Sequence, residues 1–573
     1  MWLVAFLAGP VQGDDFIWSR TGDNGNWSST ANWSGPGGRF PDDPDEQAIF
    51  NSPAGMGMPI QNASMTNGLG QLTFNYTGWT VYVDPDPLRF NSITNYGYNA
   101  INSYATGGAG LNIIYPGIEF LGDSQIIHTG SGSTLVIAYG GFIGSYGPTI
   151  SSVNPTSSDT GAVRLDVASS VSGPFYLRQG TLLVRNSSAL GTSTATVNIG
   201  GDQYVTDGGN ARLLTDAANV TVPKNLRVRS YTGRNVNATI GGNQTSGNSI
   251  FSGTITLDLN ATLTSANTDG NAVSFTNTIS GVGGITKAGP GRVVLSAANS
   301  YQGATAISTG MLSMGAAGVL PSTTAVTLAN AAGTSLSLNG FNQTIGSLSG
   351  GGGLGGGVAL GSAQLTVGSG NYAGSISGAG GSLRKTGAGT LALSGSNSYT
   401  GDTWVTAGML LVNGTHANGG GYTVASNATL GGTGTIGANI NVQGGGILAP
   451  GISIGALTVN GAVGLGGTLK VEVVDLGGIG AGGADLLSVS DNLDITKATV
   501  DFDVFGIPQE KAYVFADYSS LTGRQFAKVV DLPAGYYIDY NYLNENKIAL
   551  VIPEPCTLGL LILGGLGLRR RRW

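Results

Sequence analysis

Apolar residues along the middle of this chain recur at every second position and only in short runs. Between residues 385 and 412, Leu391 and Leu393 alternate with small or polar residues, Val405 shares a face with Thr403, and Leu410 shares one with Val412. A period of two is the mark of a strand with one buried face. Between these runs stand Gly395, Asn397, Tyr399 and Gly401, a turn-forming group in which glycine supplies positive φ and asparagine tolerates it. The pattern predicts strand, turn, strand, turn, strand.

The same pattern occurs twice. Residues 287–312 (KAGPGRVVLSAANSYQGATAISTGML) and 385–410 (KTGAGTLALSGSNSYTGDTWVTAGML) are identical at 13 of 26 positions at a constant offset of 98. Just upstream, TISGVGG at 278–284 returns as SISGAGG at 375–381, offset by 97, so the intervening turn absorbed one residue while the strands kept phase. GTLLVRNSSALG from Gly180 parallels the segment from Gly310, which predicts a partial third copy. A unit this small cannot bury both faces of its strands, so units must stack. The expected fold is all-β: a parallel β-solenoid (β-helix) with coils ~4.8 Å apart, β-rich N- and C-terminal caps and a short C-terminal sorting helix.

Composition agrees and excludes several classes. Of 573 residues, 98 are Gly, about 17% against a usual ~7%, which disfavours helical bundles and coiled coils. With 41% hydrophobic and 10% charged residues the chain can bury a core and is not a disordered polar tract. The balance of 25 basic against 32 acidic residues offers too little positive charge to neutralise a run of phosphates, so nucleic acid is not an expected partner. The single Cys, Cys556, excludes an intramolecular disulfide framework and a thiolate zinc site.

The repeated residues Lys287, Gly289, Gly291, Asn299, Tyr301 and Gly303, with Lys385, Gly387, Gly389, Asn397, Tyr399 and Gly401, resemble the autotransporter-associated β-strand repeat of bacterial surface proteins. The resemblance extends to residues 336–350 and 447–461. It implies a β-helical passenger and carries no shared catalytic motif. In that family a membrane barrel of many ~10-residue strands would follow; here 23 residues follow Leu550, so another export device is expected in its place.

That device is read at the two ends. Residues 1–13 (MWLVAFLAGPVQG) resemble the later part of a signal peptide lacking its basic start, as a start codon placed too far downstream would produce. At the other end Pro553, Glu554 and Pro555 precede a 13-residue apolar stretch, 556–568, and then Arg569, Arg570, Arg571 and Arg572. As a helix that stretch spans only about 20 Å, too short for a permanent anchor, and the arginines would stay on the cytoplasmic side. The three-part tail resembles the PEP-CTERM sorting signal of Gram-negative bacteria. The resemblance implies an exosortase-type membrane protease/transpeptidase as partner, a transient stay in the inner membrane, and delivery to the cell surface or extracellular matrix.

The domain plan is therefore 1–13 partial signal peptide, 14–110 Trp-rich N-terminal cap, 111–460 β-helix, 461–550 final coils and C-terminal β cap, and 551–573 sorting signal. Within the first cap, Trp18, Trp27 and Trp33 leave two readings open: lids over an exposed solenoid end, or platforms for sugar rings. An extracellular polysaccharide is the further expected partner.

Catalytic chemistry is hard to find. His128 and His416 lack the spacing of a zinc site and read as surface or turn residues. The run GGGGLGGG at 350–357 lacks the Lys-Ser/Thr ending of a phosphate loop and reads as a flexible corner. Asp42, Asp43, Asp45 and Glu46, like Asp84 and Asp86, read as solvated loop residues and not as a calcium loop. No cofactor or metal is expected. The resulting expectation is an exported, non-enzymatic scaffold or adhesin; the alternatives are a β-helical polysaccharide lyase or hydrolase, and a carbohydrate-binding surface protein.

Overall fold

The computed structural model describes residues 133–553 apart from 153–160, 192–193, 202–208, 233–234, 452, 476–482 and 509, together with individual strands between residues 15 and 129. Among these residues there is no α-helix, only a single 3-10 turn at Tyr542–Asn544. The chain divides into two compact units, residues 1–324 with 333–335, and residues 325–332 with 336–573.

In the first unit, strands lie parallel on partners one coil away. Ala261 pairs with Ile285, and Ile285 with Thr305, so successive coils take 24 and then 20 residues. One ladder begins at Asp15–Trp18, Gln47–Phe50, Gln71–Phe74 and Asn99–Ser103 and runs on through Ile126–Thr129 to Ile279–Gly281. Four strands of the Trp-rich segment thus join the same parallel ladder as those beyond residue 110, whereas Trp33–Ser34 pairs antiparallel with the first of them and Thr80–Val81 and Leu88–Phe90 belong to other sheets. A second ladder holds Gly110–Ile114 through Thr305–Ile307, and a third Val220–Val222 through Met311–Met314. Parallel ladders offset by one coil are a β-solenoid.

Because the side-chain period is two and the register of the second ladder holds from coil to coil, inward residues line up in columns. Leu135, Val163, Leu182, Leu213, Ile240 and Leu263 form one such column, each fully or almost fully buried. Phe251 stacks on Phe275 in another, with ring centroids 5.0 Å apart. Gly180 opens a strand of the second ladder whereas Gly310 precedes one of the third, so the segments that suggested a third repeat copy occupy different places in the coil.

The second unit repeats the scheme with Ile345, Val367, Val405, Val424, Val442 and Leu465 in a buried column. The glycine run at 350–357 is a hydrogen-bonded turn: Gly352 and Gly355 exchange backbone bonds, and the Leu354 amide donates to Asn330 Oδ1 at 2.9 Å. The flexible corner expected there is instead tied to the preceding coil. Towards the C-terminus the strands lengthen, as in Thr468–Asp475 paired with Thr499–Gly506. The parallel scheme then gives way to antiparallel pairing of Ala512–Thr522 and Tyr537–Asp539 with Lys547–Val551.

Candidate functional site: the repeat corners and the face above them

The repeat residues meet at a corner. Lys287 occupies the inward column of the second ladder, between Leu263 and Ile307, and has no exposed surface. Its aliphatic stem replaces an apolar side chain, and its Nζ donates to the carbonyls of Ala288 (2.9 Å), Gly289 (2.8 Å) and Thr309 (2.9 Å). An ammonium has three N–H donors, and here three carbonyls receive them. Lys385 does the same in the second unit, with Thr386 O at 2.7 Å, Gly387 O at 2.8 Å and Ala407 O at 2.9 Å. Burial pushes the Lys287 amine down to about 8, so that its ammonium form prevails at neutral pH, and lowers that of Lys385.

Gly310 and Gly408 close these corners. Their φ values are +68° and +65°, and a Cβ on Gly408 would stand 2.5 Å from the carbonyl oxygens of both Gly387 and Gly389. Gly289 and Gly387 also take positive φ, while Gly291, Gly303, Gly389 and Gly401 lie close against the preceding coil.

The tyrosines and asparagines lock the adjoining turn. Tyr301 is buried with its hydroxyl 2.7 Å from Thr305 Oγ1, and Tyr399 and Thr403 repeat the contact at 2.7 Å. Asn299 accepts from the Ile279 amide (2.7 Å) and donates to Val319 O (3.0 Å); Asn397 accepts from the Ile376 amide (3.0 Å). The lysine, asparagine and tyrosine side chains of both copies therefore spend their hydrogen bonds inside the coil.

His416 is not a surface residue. It pairs in register with Asn397 on one side and Ile436 on the other, which places it in an inward column with no exposure. Its Nε2 lies 2.8 Å from Tyr399 O and its Nδ1 2.6 Å from the Tyr422 hydroxyl. A carbonyl can only accept, so Nε2 carries the proton and Nδ1 accepts from Tyr422. Burial lowers the imidazole pKa and raises those of Tyr399 and Tyr422. The unfolded histidine takes up a proton near pH 6.5 and the folded one only at lower pH, so its contribution to stability is present above about 6.5 and lost as the pH falls. The stability gap between wild type and His416→Asn, measured by urea unfolding, is expected to narrow from pH 7 to pH 5; a gap independent of pH would refute the assignment. His128 lies on strand Ile126–Thr129.

The inward differences between the copies are conservative, as Val293 for Leu391 and Ile307 for Val405, and the change of chemistry is outward. Thr286 and Ala306, register partners on the outer face of the first unit, correspond to Arg384 and Trp404, register partners on the outer face of the second. Trp404 is half-buried between buried Thr403 and Val405, and Arg384 is exposed. Neither residue was singled out by sequence patterning, although the difference between copies was present in the string.

Of the aromatic candidates near the N-terminus, backbone pairing puts Trp18 opposite Trp33 in an antiparallel bridge, while Trp27 lies outside the described residues. So do the acidic residues at 42–46, Asp84, Asp86, and the tail from Glu554 with Pro555, Arg569, Arg570, Arg571 and Arg572; Pro553 is exposed just beyond strand Lys547–Val551. Among the described residues no group of three or more His, Cys, Asp or Glu is placed to hold a metal ion, and no helix is long and apolar enough to cross a membrane.

Comparison with known proteins places the corner residues in a family of repeats. The Passenger-associated-transport-repeat matches residues 285–314 and 383–412, one copy in each unit. The adhesin BmaC autotransporter of Brucella suis biovar 1 (strain 1330) is 43% identical over 144 residues, 24% of this chain and 4% of that protein. An extracellular serine protease of Serratia marcescens is 44% identical over 109 residues, 19% of this chain and 10% of that protein. The chain spans a tenth or less of the length of these curated relatives. The Haemophilus influenzae Hap adhesin structure aligns with 91% of this chain and 65% of that chain, at 13% identity and a TM-score of 0.30. By its strand pairing each unit is an all-β parallel solenoid, and each carries one segment that matches the passenger-associated-transport repeat.

Proposed function

We propose that this chain is an exported, non-enzymatic scaffold of adhesin type, displayed at the cell surface or in the extracellular matrix of a Gram-negative bacterium. The observation that carries the reading is the internal use of the repeat residues. Lys287, Asn299 and Tyr301, with Lys385, Asn397 and Tyr399, direct their polar atoms into the coil, so the repeated motif builds a support and leaves function to the outer face. The adhesin among the relatives supports the same role. For export we propose that residues 553–573 act as the sorting signal, with Pro553, Glu554 and Pro555 at the processing point and Arg569 to Arg572 held at the inner membrane for an exosortase-type partner.

Two measurements in the native host test this. Deletion of the chain should reduce adhesion or matrix retention, and surface labelling should detect it on intact cells; a purely cytoplasmic chain would overturn the reading. Mass determination of the mature C-terminus should show loss of the arginine cluster, whereas an intact Arg-rich end would discard the sorting proposal.

A further inference from the structure

Trp404 and Arg384 belong to a longer row. Register pairs Thr344 with Thr366, Thr366 with Arg384, Arg384 with Trp404, Trp404 with Thr423, and Thr423 with Asn441, all within the second unit. The residues flanking each of them, such as Leu365 and Val367, Leu383 and Lys385, and Tyr422 and Val424, are buried. The row therefore stands on the outer face. At ~4.8 Å per coil, the five residues from Thr366 to Asn441 extend about 19 Å.

The chemistry of the row is selective. One indole sits among hydroxyl, amide and guanidinium groups, with no second large apolar side chain in the row. A protein partner would call for a contiguous apolar patch; a lone aromatic ring with polar neighbours suits a ligand that has an apolar face and a hydroxylated edge, as a pyranose does. Arg384 makes no ion pair among the described residues. Its planar fork is a ready partner for a carboxylate. Asp402, exposed and two residues before Trp404, is not paired with it and can accept from sugar hydroxyls. In the first repeat copy the same three places hold Thr286, Ala304 and Ala306, so the scaffold folds without these groups.

We propose that this face of the second unit binds an acidic polysaccharide, with a sugar ring on Trp404 and a uronate carboxylate on Arg384. The proposal rests on the reading of the chain as an exported surface protein and names the site through which it would hold matrix. Neighbouring polar rungs of the row extend the contact along the chain, so that weak subsites add.

The test uses the full chain and immobilised polygalacturonate, alginate and hyaluronate, each beside its carboxyl-reduced form. Binding to at least one acidic polymer is expected, weakened about tenfold or more by Trp404→Ala and by Arg384→Gln. Arg384→Lys should restore part of the loss, the carboxyl-reduced polymer should bind poorly, and circular dichroism should show every variant folded at the assay temperature. Absence of binding to all three acidic polymers overturns the proposal, as does binding that both variants leave unchanged or that the carboxyl-reduced form equals. Surface labelling of intact cells reports separately on the underlying reading: a chain that reaches the surface yet ignores these polymers refutes the site alone.

Discussion

Replacing Lys287 by Ala is expected to destabilise the first unit by about 3–5 kcal/mol. Truncation removes a stem packed between Leu263 and Ile307 and takes one donor from each of the carbonyls of Ala288, Gly289 and Thr309. Lys287→Met separates the two effects, because it keeps most of the packing and supplies no N–H. If the methionine variant unfolds at the wild-type urea concentration, the three hydrogen bonds contribute nothing and the argument fails. The pH dependence adds a second reading. The folded amine titrates at about 8 and the unfolded one near its ordinary 10.5, so between these values the unfolded chain holds more protons and the lysine's contribution rises with pH. The stability of wild type relative to Lys287→Met should therefore increase from pH 8 to pH 10.

The second large effect is expected at Gly408. A valine there must adopt φ near +65° with its Cβ 2.5 Å from two carbonyl oxygens. Left-handed strain costs about 1–3 kcal/mol, and the collision with backbone adds about as much again. The oxygens belong to Gly387 and Gly389, in the same corner that Lys385 ties together, so relaxation of one contact disturbs the other. Amide hydrogen exchange should show protection lost across residues 383–412. Gly408→Ala should show the same loss in milder form, and a fully protected valine variant would contradict the geometry.

Much of the fold was legible in the chain because a solenoid is built from local rules. Period-two runs such as Leu391 and Leu393 mark inward strand positions, and both are buried. Glycines at equal places in two copies mark corners, and Gly310 and Gly408 do take positive φ. His416 was misread for a different reason. Whether it points in depends on the number of residues in the preceding coil, which sets its register with Asn397, and no local pattern reports that number. Lys287 and Lys385 were visible as repeat residues, but their burial follows only once the corner carbonyls are in place. Trp404 was hidden by its surroundings: it lies in a segment defined by its resemblance to another, and comparison for likeness passes over the positions that differ. The useful signal was the contrast of Thr286 and Ala306 with Arg384 and Trp404.

The buried lysines also bear on how the coils find their places. Successive turns of a solenoid look alike, so a strand shifted by two residues would still bury apolar side chains against its neighbour. A lysine in the column removes that tolerance. Shifted, its charge would face leucine or valine with no carbonyls at hand, a strongly unfavourable burial; in place, it has three partners. Each unit holds one such residue at a repeat corner, Lys287 or Lys385, and each acts as a key that one alignment of the stack accepts and its sliding alternatives reject.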